Sequence, residues 1–458
     1  MRYLTILIFI LISVISTAQD YSTDSRRAIK NYETAMEHFR NRDDGQAEQY
    51  LRRAIHRDPE FIEAWFTLAQ IYLDKQQGVK AVQYYLKGLE VNPELNPNGF
   101  LQVANIEYNY GIYLEAKKHL DTWKTYGIKE QRWTKLASKL EVKLDFAISA
   151  VQNPVPFTPM PLSNAINSGL SEYWPSLSVD EKTMFFTVLG PQNRDMKPTN
   201  LKQQEDFYYA NFENGQWMPR KKLGPPVNTN YNEGAQSITA DGSVIYFTAC
   251  NRPGGHGRMC DLYYSNILDN GSWSKPVNLG DVINTGRSEK HPSISADGRM
   301  IIFTSNRGGG KGDYDLWMSM KSDNRWTKPV NLGDSINTEG IEQSPFLHPD
   351  QKSLYFSSDG WPGLGRGDIF VSRLKDDGSW STPKNLGYPV NSHNDEVGFT
   401  VNARGTTAYY ATSRNNGMDI DIYTFDLPPE VQPNPVSYIS GRVFDADNMR
   451  GIEAEFLL

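Results

Sequence analysis

One pattern of residues recurs five times between positions 156 and 427, and it limits the fold of this chain more than any other feature. Asn167, Asn228, Asn284, Asn337 and Asn391 are each followed by Ser or Thr, and each has a glutamate five residues later: Glu172, Glu233, Glu289, Glu342 and Glu396. Eight residues beyond the glutamate, Asp180, Asp241, Asp297 and Asp350 open a tight turn, where the fifth copy has Arg404-Gly405. An aromatic strand follows in every copy (MFFT, VIYFT, MIIFT, LYFSS, AYYAT). A Gly- or Asn-rich loop then leads to Asp206, Asp261, Asp315, Asp368 or Asp421 at the head of another strand. Trp217, Trp273, Trp326 and Trp380 are expected to begin the last strand of four copies. Their spacings of 56, 53 and 54 residues fit four short antiparallel strands per unit, which is a propeller blade.

The fifth unit runs into Pro428-Pro429 before any such strand. Pro156 to Asn167 aligns with Trp273 to Asn284, with Leu162 on Leu279, Ile166 on Ile283 and Asn167 on Asn284. Residues 156–167 are therefore expected to pair with residues 419–426, completing the last blade and removing two open sheet edges. The turn, the aromatic strand and the Asp-led strand together resemble the WD40-like propeller repeats of the TolB type over about 270 residues, which implies a five-bladed β-propeller at 156–427.

Residues 19–152 have a different period. Ala35, Ala47, Tyr50, Ala54 and Pro59 match Ala69, Ala81, Tyr84, Gly88 and Pro93 at an offset of 34, and a third copy carries Ala104, Ala116 and Leu120. Small residues where helices touch, with Pro at the end of each unit, resemble the tetratricopeptide (TPR) repeat, an all-α solenoid. Trp65 and Tyr72 read as core residues. A capping helix is expected over 129–151, with Trp133, Leu136, Leu140, Leu144 and Ile148 along one stripe. The stack implies a concave surface for a peptide or partner helix.

At the N-terminus, Arg2, an apolar run from Tyr3 to Ile15 and Ser16-Thr17-Ala18 read as a secretory signal at 1–18. The run is too short for a membrane span, which needs ~20 residues, so no transmembrane segment is expected after cleavage. In an exported chain, Cys250 and Cys260 more readily form a disulfide than a zinc site; two free thiols are the other alternative. Forty-seven Lys and Arg against 54 Asp and Glu leave a net charge of −7, which argues against nucleic acid as a partner.

No G-x-S-x-G elbow occurs, and His291, His348 and His393 read as scattered loop histidines, so no enzyme is expected and no cofactor or metal. The Asp residues in GKGDYD (310–315) and MDID (418–421) would suit calcium, but acceptance of turn N–H groups is the commoner use. The five glutamates have two readings. They form an axial carboxylate ring that attracts a basic segment or a cation, or each caps a turn of its own blade.

After a Pro-rich linker at 153–161 and a second at 428–436, residues 437–458 resemble the start of a transthyretin-like, carboxypeptidase-regulatory β-sandwich, too short to bury a core, so the chain is expected to stop inside a domain. The order of signal, TPR stack, WD40-like propeller and regulatory sandwich resembles OmpA-family envelope proteins, including those of the type IX secretion system. That resemblance implies a non-enzymatic scaffold in the periplasm, associated with the outer membrane. It would bind envelope proteins through its TPR groove and propeller, and peptidoglycan only through a C-terminal domain beyond Leu458. The alternatives are a TolB-like propeller engaging a peptidoglycan-associated lipoprotein, and a secreted hydrolase.

Overall fold

The computed structural model describes residues 21–191, 203–257, 259–412, 419–437, 445, 446 and 450. The signal reading at 1–18 and most of the sandwich reading at 437–458 lie outside them. The chain divides into two compact units between Glu141 and Val142.

The first unit is built from helix pairs: α1 (Arg26–Arg40) with α2 (Asp44–Arg57), α3 (Ile62–Asp74) with α4 (Gly78–Val91), and α5 (Asn98–Asn109) with α6 (Tyr113–Thr125). Side-chain caps start the first pair, Ser25 accepting from the Ala28 N–H and Asp43 from the Gln46 N–H. Ala35, Ala47, Ala54, Ala69, Ala81, Ala104 and Ala116 are fully buried, which is what the 34-residue period encodes. Gly88 shows why these positions stay small: a Cβ there would lie 2.5 Å from the Phe66 ring.

Two expectations for the helices need correction. Trp65 is only half-buried; its ring stacks on Tyr84 at 6.0 Å and its indole N–H donates to the Pro59 carbonyl at 2.8 Å. In α7 (Gln131–Gln152) the buried stripe is Trp133, Ala137, Leu140, Leu144 and Ala147. Leu136 is exposed and Ile148 half-buried, because alternating steps of four and three residues keep one face inward and leave 136 and 148 off that line.

Among its described residues the second unit contains five antiparallel sheets. Their innermost strands are Ser171–Leu177, Asn232–Ile238, Glu289–Ile294, Glu342–Leu347 and Val397–Val401. The aromatic strands come second and the Asp-led strands third. The outermost strands are two residues long: Lys221–Lys222, Val277–Asn278, Val330–Asn331 and Lys384–Asn385, with Met160–Pro161 in the fifth sheet. Met160 faces Thr424 and Pro161 faces Tyr423, so the start of the module completes the last blade.

The tryptophans do not begin those outer strands. Trp217 and Trp326 sit in short hairpins at the end of the third strand, Trp273 and Trp380 in isolated bridges there, and the outer strand starts four residues later. The intervening Pro lacks an N–H for the ladder and breaks it. Aromatic side chains fill the seams between blades. Phe185 and Phe207 of the first blade pack with Phe247 and Tyr263 of the second, and Ile422 of the fifth packs with Met184 and Phe186 of the first.

Candidate functional site

The residues that recur in all five blades form a buried polar layer. Each repeat asparagine lies at the entry to its blade and bonds the backbone of the preceding blade. Asn337 accepts the Leu316 N–H at 2.8 Å and donates to the Leu316 carbonyl at 3.0 Å. Asn228 does the same with Phe207, Asn284 with Leu262 and Asn391 with Ile369. Asn167 does so with Ile422, across the closure of the ring. A carboxamide carries one acceptor and one donor in the spacing of a peptide unit, so it extends the ladder where the connecting chain has left the sheet.

The glutamates have no exposed surface. Each accepts the backbone N–H of the residue four positions earlier and that residue's hydroxyl. Ser168 binds Glu172 at 3.0 and 2.6 Å, Thr285 binds Glu289 at 2.8 and 2.8 Å, Thr338 binds Glu342 at 2.9 and 2.7 Å, and Ser392 binds Glu396 at 3.2 and 2.6 Å. Thr229 makes both bonds to Glu233. The side chains are thus turned into their own turns, in place of an axial ring open to cations. Arg220, Arg252 and Arg307 approach Glu172, Glu233 and Glu289 at 3.6, 3.5 and 3.0 Å. Burial still dominates at Glu233 and raises its carboxyl to about 7, with the Thr229 bonds and Arg252 opposing.

The third-strand aspartates Asp315 and Asp368 serve the loops before them. Asp315 accepts from the Lys311 and Gly312 N–H groups at 2.6 and 2.9 Å, and Asp368 from Leu364 and Gly365 at 2.8 and 3.3 Å. Burial raises Asp368 to about 7 despite those bonds. These are turn acceptors in a layout unlike a calcium shell. Among the described residues no cluster of three His, Cys, Asp or Glu could hold a metal ion. Met418 of the MDID segment lies outside the described residues. Cys250 and Cys260 face each other on neighbouring strands and are bonded as a disulfide.

Of the histidines expected in loops, His393 lies in a bend and His348 just past the strand Glu342–Leu347, but His291 is not in a loop. His348 is fully buried, with Nε2 3.0 Å from the Asn402 carbonyl. His291 lies in an innermost strand and lines a cavity at the centre of the ring. That cavity is walled by the residue two places after each glutamate: Trp174, Ala235, His291, Ser344 and Gly398. All five have positive φ, between 49° and 65°, and each sits in the bulge of its strand. Sequence reasoning missed this set. The signal available was its constant offset from the glutamate, with Pro following in Trp174-Pro175, His291-Pro292 and Ser344-Pro345.

Comparison with known proteins bears on the helical repeat. A family model for the tetratricopeptide repeat matches residues 62–95, which span α3 and α4. No curated protein sequence matches the chain. Among solved structures, TolB from Acinetobacter baumannii is similar at 17% identity and TM-score 0.37, covering 58% of this chain; the chain spans 57% of that protein's length. The Yersinia enterocolitica type III secretion chaperone SycD, solved with a peptide of the translocator YopD, is similar at 15% identity and TM-score 0.24, over 27% of this chain and 94% of its own. An endo-arabinase from Bacteroides thetaiotaomicron is similar at 14% identity and TM-score 0.39, over 62% of this chain and 100% of its own. Among the described residues no helix is long and apolar enough to cross a membrane.

Proposed function

We propose that the chain is a non-enzymatic scaffold of the bacterial envelope that binds partner proteins through its TPR unit and its propeller. The observation that carries this reading is how the repeated polar side chains are used. The five Asn and five Glu that would be the first candidates for chemistry are engaged in hydrogen bonds that join blades and close turns. What remains for function is the surface of two repeat modules, and repeat surfaces serve recognition. The signal-like N-terminus and the module order support the finer reading: an outer-membrane-associated periplasmic component of the type IX secretion machinery, similar in layout to PorE. A pull-down from envelope extract with the full chain as bait is expected to retain outer-membrane or periplasmic proteins. Retention of none of them would remove the scaffold reading, and release of reducing sugar or peptide from envelope polymers by the purified chain would replace it with a hydrolase.

A further inference from the structure

The Pro-rich segment at 428–436, expected as a linker, is bound to two blades along its length. Pro428 and Pro429 stop the fifth blade after its third strand, because neither has an N–H for the ladder. The other four blades continue there into a hairpin or bridge carrying Trp217, Trp273, Trp326 or Trp380. In the fifth, Leu427 is buried and donates its N–H to the Thr406 carbonyl at 2.8 Å. Val431 is 2% exposed, in a cluster that joins Tyr355 and Val371 of the fourth blade to Phe399 and Phe425 of the fifth. Its carbonyl accepts from the Tyr355 hydroxyl, and the next carbonyl, of Gln432, from the Arg373 guanidinium. The Asn434 N–H then donates to Asp350 Oδ2 at 3.0 Å and the Val436 N–H to the Ala403 carbonyl at 2.8 Å, in the first turns of the fourth and fifth blades.

Residues that break the five-fold pattern serve this segment. Arg373 stands where the other blades have Asn211, Asn266, Met320 and Asp426, each opposite the first residue of its second strand. Gly405 occupies the left-handed turn position where the first and fourth blades carry Glu181 and Gln351, and a Cβ on it would lie 3.0 Å from Pro433. The chain entering the propeller meets the same cluster, with the Phe157 ring 4.8 Å from that of Phe425.

We infer that residues 427–436 are a clasp that fastens the fifth blade to the fourth. The clasp takes the place of the missing hairpin and holds the third strand of the fifth blade, the strand on which Met160–Pro161 closes the ring. A pull on the chain beyond Val436 is therefore shared by two blades, instead of peeling that strand away one hydrogen bond at a time.

Hydrogen exchange of the full chain, read by mass spectrometry on peptides from each blade, tests it. Val431→Asp puts a charge into the seam between the two blades. Amides of Thr407–Thr412 and Asp421–Asp426 are then expected to exchange at least about tenfold faster, with Thr183–Pro191, Val244–Cys250 and Met300–Ser305 at their wild-type rates. Arg373→Met, which installs the residue of the third blade, removes the bond to Gln432 without charging the core. An acceleration of about fivefold is expected, confined to 427–436 and the fifth blade, and this variant decides the matter if Val431→Asp unfolds the whole propeller. Wild-type rates in the fifth blade of either variant, or equal acceleration of all five blades in Arg373→Met, would overturn the clasp.

Discussion

The two repeat units solve one problem, how a repeat recognises its neighbour, with opposite materials. In the helical unit each helix satisfies its own backbone hydrogen bonds, so neighbours need only fit. The contacts include alanines and glycines held against rings, Gly88 against Phe66 and Gly78 against Tyr110. Its charged network lies at the surface, where Glu48 bonds Tyr72, Lys75 and Arg52 at 2.7, 3.0 and 2.9 Å. In the propeller every connection between blades leaves peptide groups that no strand serves, so asparagine and glutamate are buried to serve them. Shape specifies the first unit, and hydrogen-bond complementarity specifies the second.

The comparison breaks most visibly at the asparagines. Asn337→Ala leaves the Leu316 N–H and carbonyl buried without their partner, and a loss of about 3 kcal/mol is expected. Urea unfolding followed separately for each unit by hydrogen exchange should show the propeller weakened and the helices unmoved. Equal loss in both units would contradict the division.

A smaller effect sharpens it through pH. Asp368 is raised to about 7 in the folded chain, against an ordinary value near 4. Its contribution is therefore fully present below about pH 4 and is lost as pH rises through 7. Relative to Asp368→Asn, the wild-type propeller should gain stability from pH 8 to pH 5, by up to ~1.4 kcal/mol per unit between the two values. A pH-independent difference between the two proteins would count against a raised carboxyl.

The smallest effect belongs to the helical network. At Glu48, burial pushes the carboxyl up, but the bonds from Tyr72, Lys75 and Arg52 outweigh it and hold it at about 2. Its contribution is present above the ordinary glutamate value and is lost as pH falls toward 2, the reverse of Asp368. Because its partners Arg52 and Lys75 are themselves partly exposed and screened by water, Glu48→Gln is expected to cost about 1 kcal/mol at pH 7, measured by thermal unfolding of the helical unit. A cost comparable to that of Asn337→Ala would show that polar groups specify both units alike.

Much of the fold was legible. The 34-residue period located buried alanines, and the alignment of Pro156–Asn167 with Trp273–Asn284 anticipated Met160 facing Thr424. The fourth strand was displaced by four residues because an indole reads as a strand residue, while the break comes from the Pro that follows it. Leu136 and Trp65 were misread for a related reason: periodicity says that a helix has an inner face and leaves its phase open by one residue.

What the sequence determined by itself was therefore recurrence: how many units there are, which residues repeat, and where one period gives way to the other. Whether Glu172 and its four equivalents face an axis or their own turns depends on side-chain direction, which a spacing does not contain. Only the tertiary structure decided it, by placing a hydroxyl and an N–H four residues back within 3.2 Å of Glu396. The bulge residues Trp174, Ala235, His291, Ser344 and Gly398 likewise line one pocket only because the closed ring brings all five innermost strands to one axis.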